Sequence, residues 1–438
     1  MLERKRYALV GLGSRSRMFT TALLKDYADR GELVALCDLN RTRMEYTNQY
    51  YAETLGAAPV PTYTPEHFDR MVQERHVDCA IVTSVDRTHH RYIIRAMELG
   101  CDAITEKPMT IDAPRCQAIL DTVKATGRQL TVTFNYRYAP RNAKVKQLLQ
   151  AGVIGKVLSV HFEWLLDTVH GADYFRRWHR DQRNSGGLMV HKATHHFDLV
   201  NWWLDTQPET VFAFGDLRFY GRENAEERGV TQFYERAHGR TAAAEDPFAL
   251  HMERSETLRR MYLEAEHEDG YLRDQSVFGE GISIEDDMAV LVRYRNRAIM
   301  SYHLTTYSPW EGYRVAFNGT KGRLEYDVQE YSYISGYSQD ANLPEVRTAR
   351  QNLITEPASI VIHPLWGEPV REDVTTGGGD HGGGDERLLR AIFVGSEDDP
   401  LGHAADHVAG AMSILTGIAA NKSFATGLPV EVASLVRF

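Results

Sequence analysis

Cysteine is scarce in this sequence, and long hydrophobic runs are missing from it. The 438 residues include four cysteines, with no Cys-x-x-Cys pair, which argues against disulfide or zinc frameworks and favours reduced thiols in a core. No stretch of 18 uncharged apolar residues occurs, so the sequence predicts no membrane span. The apolar run near the N-terminus stops at Ser14 without a cleavage site, so we expect a cytoplasmic protein without a signal peptide.

Positive charge is also in deficit. The chain carries 50 Lys and Arg against 60 Asp and Glu, and its net charge of −10 disfavours binding to nucleic-acid phosphates. Residues 1–150 carry 22 basic and 17 acidic side chains, whereas residues 221–290 carry 8 and 17. The mildly positive first third suits an anionic dinucleotide. We expect the acidic segment to be a solvated helical surface or a subunit contact, away from substrate chemistry.

The order of apolar runs separates two domains. Strand-like runs such as residues 7–11, 33–38 and 79–82 alternate with helical stretches such as residues 113–126, which predicts α/β units on a parallel sheet over residues 1–133. Strands then follow one another, so residues 134–438 are predicted to form an α+β domain with a large open, mostly antiparallel sheet. This second domain is expected to carry three further features, namely a charged insertion around 221–275, a loop-rich region at 336–385 and a C-terminal helix at 403–421.

A glycine turn follows the first strand. In Gly11-Leu-Gly-Ser-Arg-Ser16 the glycines permit a tight turn and close approach to a pyrophosphate, although Ser16 stands where glycine or alanine is usual. Asp38 ends the next strand, where a carboxylate accepts from both ribose hydroxyls and repels a 2′-phosphate. These features predict a Rossmann dinucleotide-binding domain that takes NAD, while Arg41 and Arg43 leave NADP open.

Short motifs in a fixed order resemble those of the glucose–fructose oxidoreductase/inositol dehydrogenase (Gfo/Idh/MocA) family. The most specific is Glu106-Lys-Pro108, which follows a predicted strand. The resemblance extends over about residues 5–215 and 285–330. The other matching motifs are Gly11-Leu-Gly13, Ser84-Val-Asp-Arg-Thr-His89 in an altered form, Asn135-Tyr-Arg137, Ile154-Gly155 and Asn318-Gly-Thr-Lys-Gly322.

The resemblance implies an NAD(P)-dependent dehydrogenase that acts on a secondary hydroxyl of a sugar, sugar derivative or cyclic polyol. It also implies a homo-oligomer, a dimer or tetramer, because the open sheet of such relatives packs against another subunit. The cofactor contacts of the family carry over to matching positions of this sequence, namely Gly11, Gly13, Ser14, Arg15, Asp38, Ser84, His89, Glu106, Lys107, Asn135 and Arg137.

The catalytic helix of the family has a counterpart with one departure. In Gly186-Gly-Leu-Met-Val-His191-Lys-Ala-Thr-His195 the family histidine falls on His195, but the family aspartate falls on His191. The spacing predicts a helix over 187–204 with both histidines on one face. Lys107 is the first candidate base, if desolvation lowers its pKa, and His195 is the second. We expect His191 to be neutral and to bind the substrate or a neighbouring side chain.

Aromatic and hydrogen-bonding side chains precede that helix. Tyr174, Trp178 and His179 suit a sugar ring, although Trp178 suits a core position equally well. His381 lies in a glycine-rich loop, where it is either a further substrate contact or part of a surface loop. The predicted substrate contacts are therefore Lys107, Tyr174, Trp178, His179, His191, His195 and His381.

Three alternatives are weighed against the dehydrogenase. The i, i+4 spacing of His191 and His195 occurs in zinc sites, but Lys192 stands where the usual glutamate would be, so we predict no metal. Some enzymes that resemble this family use bound NAD for transient oxidation and elimination, and an NAD-dependent glycoside hydrolase is the second hypothesis. A cofactor-binding protein without catalysis is disfavoured by the intact Lys107 and His195.

Overall fold

The computed structural model describes residues 4–331, 358–375, 380–395 and 398–438, which form two sheets. The first sheet has the order β3-β2-β1-β4-β5-β6, and all its strand pairs are parallel. The chain order reverses between β1 and β4, and ligands of such sheets bind in the crevice at that point. The strands are β1 Lys5–Val10, β2 Gly31–Cys37, β3 Thr62–Tyr63, β4 Cys79–Val82, β5 Asp102–Thr105 and β6 Leu130–Val132.

Helices of the first domain begin and end at recognisable capping residues. Arg41–Leu55 begins after Asn40, whose side chain accepts from Arg43 N–H, and ends at a left-handed glycine. Ala113–Thr126 begins after Asp112 in the same way and has the predicted bounds. The other helices of this domain are Ser16–Thr21, Phe68–Glu74 and His89–Glu98.

Nine strands form the second sheet, in the order β14-β13-β12-β11-β7-β10-β9-β8-β15. Among its described pairs only β7 and β10 run parallel. The predicted fold class, a Rossmann domain followed by a domain with a mostly antiparallel sheet, is confirmed. The strands are β7 Val157–Asp167, β8 Pro208–Asp216, β9 Asp287–Tyr294, β10 Ile299–Ser308, β11 Glu311–Gly319, β12 Gly322–Tyr331, β13 Ala358–Pro364, β14 Val370–Glu372 and β15 Val430–Glu431.

One face of this sheet carries the core of the second domain. Trp164 of β7 is buried, and its ring stacks on His196 with centroids 3.9 Å apart. The helix His407–Thr426 packs behind it and is shifted from the predicted 403–421, because the Asp406 side chain caps the first turn and a left-handed glycine ends the last. The remaining helices here are Pro140–Gln150, His170–Arg176, Gln182–Ser185, Leu188–His191, Thr194–Leu204 and Gly384–Phe393.

The region predicted to be loop-rich is partly strand. Residues 332–357 and 376–379 lie outside the described part of the chain, but β13 and β14 fall within the predicted 336–385 loop region. The apolar alternation in β13 places Ile360 and Ile362 on the core side, next to β12. Strands this short have little sequence periodicity of their own.

The acidic inserted segment (residues 221–275) has many exposed side chains, as expected of a solvated surface, but part of it packs on the first domain. It contains the short helices Arg222–Glu227, Glu256–Leu258 and Glu266–Asp269 and packs on the first domain. The carboxylate of Glu268 accepts from the backbone N–H groups of Arg41 and Thr42, at 2.6 and 2.8 Å. Glu268, one of the acidic residues of the segment, therefore caps a helix of the Rossmann domain. A count of charges along the sequence does not predict such a long-range contact.

All four cysteines are free and buried, which confirms the expectation of reduced core thiols. Burial raises the pKa of the thiols of Cys37, Cys79 and Cys116 to about 12. Among the described helices, none combines the length and apolar character that a bilayer span requires.

Candidate active site

The glycine turn after β1 fits tightly against the turn after β4. Gly11 has a φ of +89°, and a Cβ there would lie 2.4 Å from the Cα of Ser84. A Cβ on Gly13 would meet only the Tyr262 hydroxyl, at 3.9 Å. Gly11 is therefore needed for the protein's own packing, whereas Gly13 leaves the backbone open to a ligand.

Asp38 lies at the end of β2 and faces this turn. Its carboxylate accepts from Leu12 N–H at 2.6 Å and from Asn40 N–H at 2.8 Å. Arg43 approaches the same carboxylate at 3.2 Å and also pairs with Asp269 at 3.0 Å. Arg43, a possible partner of a 2′-phosphate on sequence grounds, is thus buried between two carboxylates.

His89 joins two of the matching motifs. One ring nitrogen lies 2.8 Å from the Pro108 carbonyl oxygen, and the other lies 2.9 Å from the Ser84 carbonyl oxygen. The Lys107–Pro108 peptide bond is cis. His89 is buried, and its two contacts hold the turn after β4 against the Glu106-Lys-Pro108 segment.

Arg15 connects the glycine turn with two other segments. Its guanidinium donates to Glu106 at 2.7 Å and to both oxygens of Asp385 at 2.8 and 3.0 Å. The amide of Asn135 donates to the same Asp385 at 2.5 Å. Asp385 did not emerge as a site residue from the sequence, because its contacts lie 250 and 370 positions away. Arg137 instead forms a buried ion pair with Asp198, at 2.5 and 2.7 Å.

Lys107, His191 and Asp86 come together at the carboxyl edge of the parallel sheet. The Lys107 ammonium donates to the His191 carbonyl oxygen at 3.2 Å. The His191 Nδ1 lies 2.5 Å from Asp86 Oδ2, and both side chains are buried. Asp86 was missed by sequence reasoning, although it occupies the altered position in the Ser84–His89 motif. A carboxylate is thus present beside His191, supplied by the turn after β4.

Burial and nearby charge change the proton affinities of all three groups. Burial lowers the pKa of Lys107, the charges of Asp86 and Glu106 partly offset this, and Arg15 lowers it further. Burial raises the pKa of Asp86 well above its usual range. Burial and the Lys107 ammonium hold the pKa of His191 well below its usual range, so its imidazole is neutral, as expected.

Four of the predicted substrate residues form one aromatic wall. Trp178 stacks on His179 with centroids 3.6 Å apart, and His179 meets His191 edge-on at 4.3 Å. The Tyr174 ring lies 5.5 Å from that of His191. The Nδ1 of His179 is buried and has no hydrogen-bond partner among the described residues. The wall therefore combines apolar ring faces with a polar atom that is available to a hydroxyl.

The predicted helix over 187–204 is interrupted between its two histidines. The segments are Leu188–His191 and Thr194–Leu204, because the backbone N–H groups of Lys192 and Ala193 both bond to the Leu188 carbonyl. The His195 ring packs edge-on against Tyr136, at 4.8 Å, and Phe134. His191 and His195 therefore contact different neighbours, and the role of His195 stays a prediction.

Two further expectations concern His381 and a metal. The side chain of His381 lies outside the described part of the chain. Among the residues that the structure describes, no group of three or more histidine, cysteine, aspartate or glutamate side chains is placed to hold a metal ion.

Comparison with protein families gives two matches that together span most of the chain. Residues 5–134 match the oxidoreductase family model with an NAD-binding Rossmann fold, and residues 146–432 match the C-terminal alpha/beta domain of the same GFO_IDH_MocA family. A curated relative, YteT of Bacillus subtilis, is named as an oxidoreductase and is 34% identical, with 98% of each chain covered. The scyllo-inositol 2-dehydrogenase (NAD(+)) of Bacillus subtilis is 26% identical over 50% of this chain and 59% of its own.

Solved structures share the fold at lower identity. The aldose-aldose oxidoreductase of Caulobacter crescentus, complexed with glycerol, is 17% identical with a TM-score of 0.62, covering 98% of this chain and 100% of its own. The WlbA dehydrogenase of Bordetella pertussis, in complex with NADH and UDP-GlcNAcA, is 16% identical with a TM-score of 0.63, covering 98% and 99%.

Proposed function

The chain belongs to the Gfo/Idh/MocA oxidoreductase family and is an NAD(P)-dependent oxidoreductase, and we propose that it oxidises a secondary hydroxyl of a sugar, sugar derivative or cyclic polyol. The proposal rests on the contacts of His191 with Lys107 and Asp86. These residues lie at the edge of the sheet that also holds the glycine turn. The relatives named as inositol dehydrogenase and aldose-aldose oxidoreductase support a cyclic polyhydroxylated substrate. They give no support to the glycoside hydrolase.

Lys107 is proposed as the base. Bound NAD supplies the acceptor of the hydride that leaves the carbinol carbon. The neutral amine of Lys107 takes the hydroxyl proton, so that the alcohol becomes a ketone and the amine becomes an ammonium. Its lowered pKa increases the fraction of neutral amine near neutral pH.

His191 and Asp86 are proposed to hold the substrate hydroxyl for Lys107. With Asp86 ionised, the Nδ1–H of His191 donates to the carboxylate, and Nε2 remains as an acceptor. An acceptor fixed by a buried carboxylate orients a hydroxyl without adding a positive charge beside Lys107. His195 remains a proposed participant in proton transfer.

NAD is the proposed cofactor, and NADP is the less favoured one. The open backbone at Gly13 and the Asp38 carboxylate at the end of β2 fit a dinucleotide with a free ribose diol. Arg43 pairs with Asp38 and Asp269, so its charge is already neutralised. A 2′-phosphate there would face the carboxylates of Asp38 and Asp269, which leaves the exposed Arg41 as the other arginine that could pair with it.

A homo-oligomer is proposed from the outer face of the second sheet. Phe214, Leu291 and Ile299 are 65%, 52% and 54% exposed on neighbouring strands β8, β9 and β10. Exposed apolar side chains grouped on one surface are typical of an interface. The four buried free cysteines support a cytoplasmic location.

The test supplies NAD with a panel of inositols, aldoses, sugar acids and aryl glycosides. Accumulation of NADH, followed by absorbance, with a ketone product would support the proposal. Release of an aglycone without net NADH would overturn it in favour of transient oxidation and elimination. A parallel assay with NADP, at equal concentration, compares the two cofactors directly.

A further inference from the structure

Tyr262 of the inserted segment touches the glycine turn directly. Its hydroxyl accepts from Ser14 N–H at 3.1 Å and lies 2.8 Å from the Ser14 hydroxyl. The Ser14 amide belongs to the turn that faces a dinucleotide's phosphates. A tyrosine hydroxyl that accepts from this amide still has its own proton to donate to a phosphate oxygen.

Arg273 lies over the Tyr262 ring, with its guanidinium carbon 4.4 Å from the ring centroid. The residue is only 8% exposed, and its buried Nε has no hydrogen-bond partner among the residues that the structure describes. The nearby Asp173 is already committed, at 2.6 Å, to Arg177. Arg273 therefore shares the charge of Asp173, whose pKa it lowers, with Arg177, and a buried guanidinium placed in this way is suited to a further anion.

The inserted segment is fixed where these two side chains face the turn. The Asn40 amide donates to the Ala265 carbonyl at 2.8 Å, and Tyr46, Met252 and Met261 form part of a buried apolar cluster across the junction. Burial alone would raise the pKa of Tyr262, but the charge of Arg273 and of neighbouring arginines lowers it. The Arg273 guanidinium therefore adds positive charge beside the hydroxyl that contacts Ser14.

We propose that Arg273 and Tyr262 bind the pyrophosphate of the dinucleotide at the edge of the glycine turn where Tyr262 contacts Ser14, so that the inserted segment holds the cofactor and slows its release. This inference rests on the proposed use of NAD by the same turn. Pyrophosphate is favoured over an acidic group of the substrate because Tyr262, on whose ring Arg273 lies, contacts the Ser14 amide. The segment is then part of the cofactor site of this chain.

The test compares Arg273→Gln with the exposed Arg240→Gln of the same segment, which makes an equal change in charge. Calorimetric titrations use NAD, ADP and adenosine, since adenosine lacks phosphate. Loss of a charge-assisted pair predicts about 10- to 100-fold weaker binding of NAD and ADP by Arg273→Gln. Adenosine binding and the Arg240→Gln protein should match the wild type. NAD release, followed by stopped-flow fluorescence, should be faster by a similar factor.

Other outcomes overturn the inference. Equal affinity of the wild type and Arg273→Gln for ADP would do so, as would a raised KM for substrate with unchanged binding of NAD. If Arg273→Gln does not fold, Tyr262→Phe replaces it, and unchanged release of NAD by that variant would count against the inference. A wild type that binds neither NAD nor ADP would instead sink the proposed function itself.

Discussion

His191 and Asp86 form a buried hydrogen-bonded pair, with 2.5 Å between Nδ1 and Oδ2, across 105 positions of the chain. The Lys107 ammonium bonds to the carbonyl of the same histidine. The histidine stands where the family motif has an aspartate, and the carboxylate comes from the turn after β4. The carboxyl group of the site therefore comes from another element, and the His191 imidazole joins it to the aromatic wall.

Lys107→Met should abolish turnover and leave the cofactor bound. Removal of a general base costs about 10²- to 10⁴-fold in rate, and methionine retains most of the apolar stem. The measurements are kcat from NADH formation and Kd for NAD by calorimetry. Lys144→Met, which removes the surface ion pair with Glu372, is the control and should retain full activity. A Lys107→Met enzyme with a near-normal rate would refute the assigned role.

Asp86→Asn should move the acidic limb of the pH profile to lower pH. Oxidation needs the neutral Lys107 amine, so the rate falls as pH drops through its pKa. The Asp86 charge raises that pKa, whereas Arg15 and Arg177 lower it, so removal of the carboxylate leaves a still lower pKa. The profile of log kcat/KM against pH measures the shift. Asp69→Asn, at an exposed ion pair with Arg95, should leave the limb in place. A limb that moves to higher pH would contradict the model of Lys107 as base.

Local pattern predicted most of the first domain. The strand Cys79–Val82 and the helix Ala113–Thr126 have the predicted bounds, because apolar runs and capping residues specify them within a few positions. The glycine turn, Asp38 and Lys107 lie at the predicted edge of the sheet for the same reason. These features depend on neighbours in the chain rather than on distant partners.

Local sequence patterns did not predict the contacts between distant segments of the chain. Asp86 meets His191, and Tyr262 meets Ser14 across 248 positions, so neither pair has a local pattern. The sequence did contain one indication of the Asp86–His191 pair, because both residues depart from the family motifs. The acidic inserted segment was predicted to be a solvated surface. Its Glu268 caps a helix of the other domain, and such a contact leaves no periodic pattern in the sequence.

Asp38→Asn should weaken NAD binding and raise the use of NADP. The substitution removes the charge that repels a 2′-phosphate and that now pairs with Arg43. We expect the ratio of kcat/KM for NAD to that for NADP to fall by about 10- to 100-fold. Thermal unfolding should accompany the assay, because Asp38 also accepts from two backbone N–H groups. An unchanged ratio in a folded protein would show that Asp38 does not select the cofactor.

Leu291→Asp on the outer face of the second sheet should dissociate the proposed oligomer. Leu291 is 52% exposed opposite Phe212 of the neighbouring strand β8, and a carboxylate there would be desolvated at an interface. Light scattering after gel filtration measures the mass. Val394→Asp, at a 44% exposed residue after the helix Gly384–Phe393, is the control and should keep the mass of the wild type. A wild type that is already monomeric would refute the proposed interface.

Gly417→Ala should destabilise the protein, although alanine is usually the better helix residue. Gly417 lies within the helix His407–Thr426, and a Cβ there would lie 2.2 Å from the Met189 carbonyl oxygen. Overpacking against backbone costs about 1–3 kcal/mol or more, which exceeds the gain of about 1 kcal/mol in helix propensity. Urea unfolding should give a lower midpoint, while Lys422→Ala on the exposed side of the same helix should change stability by about 0.5 kcal/mol or less. Because Met189 belongs to the turn that ends at His191, kcat should fall as well. Equal or greater stability would mean that the two backbones are not packed this closely.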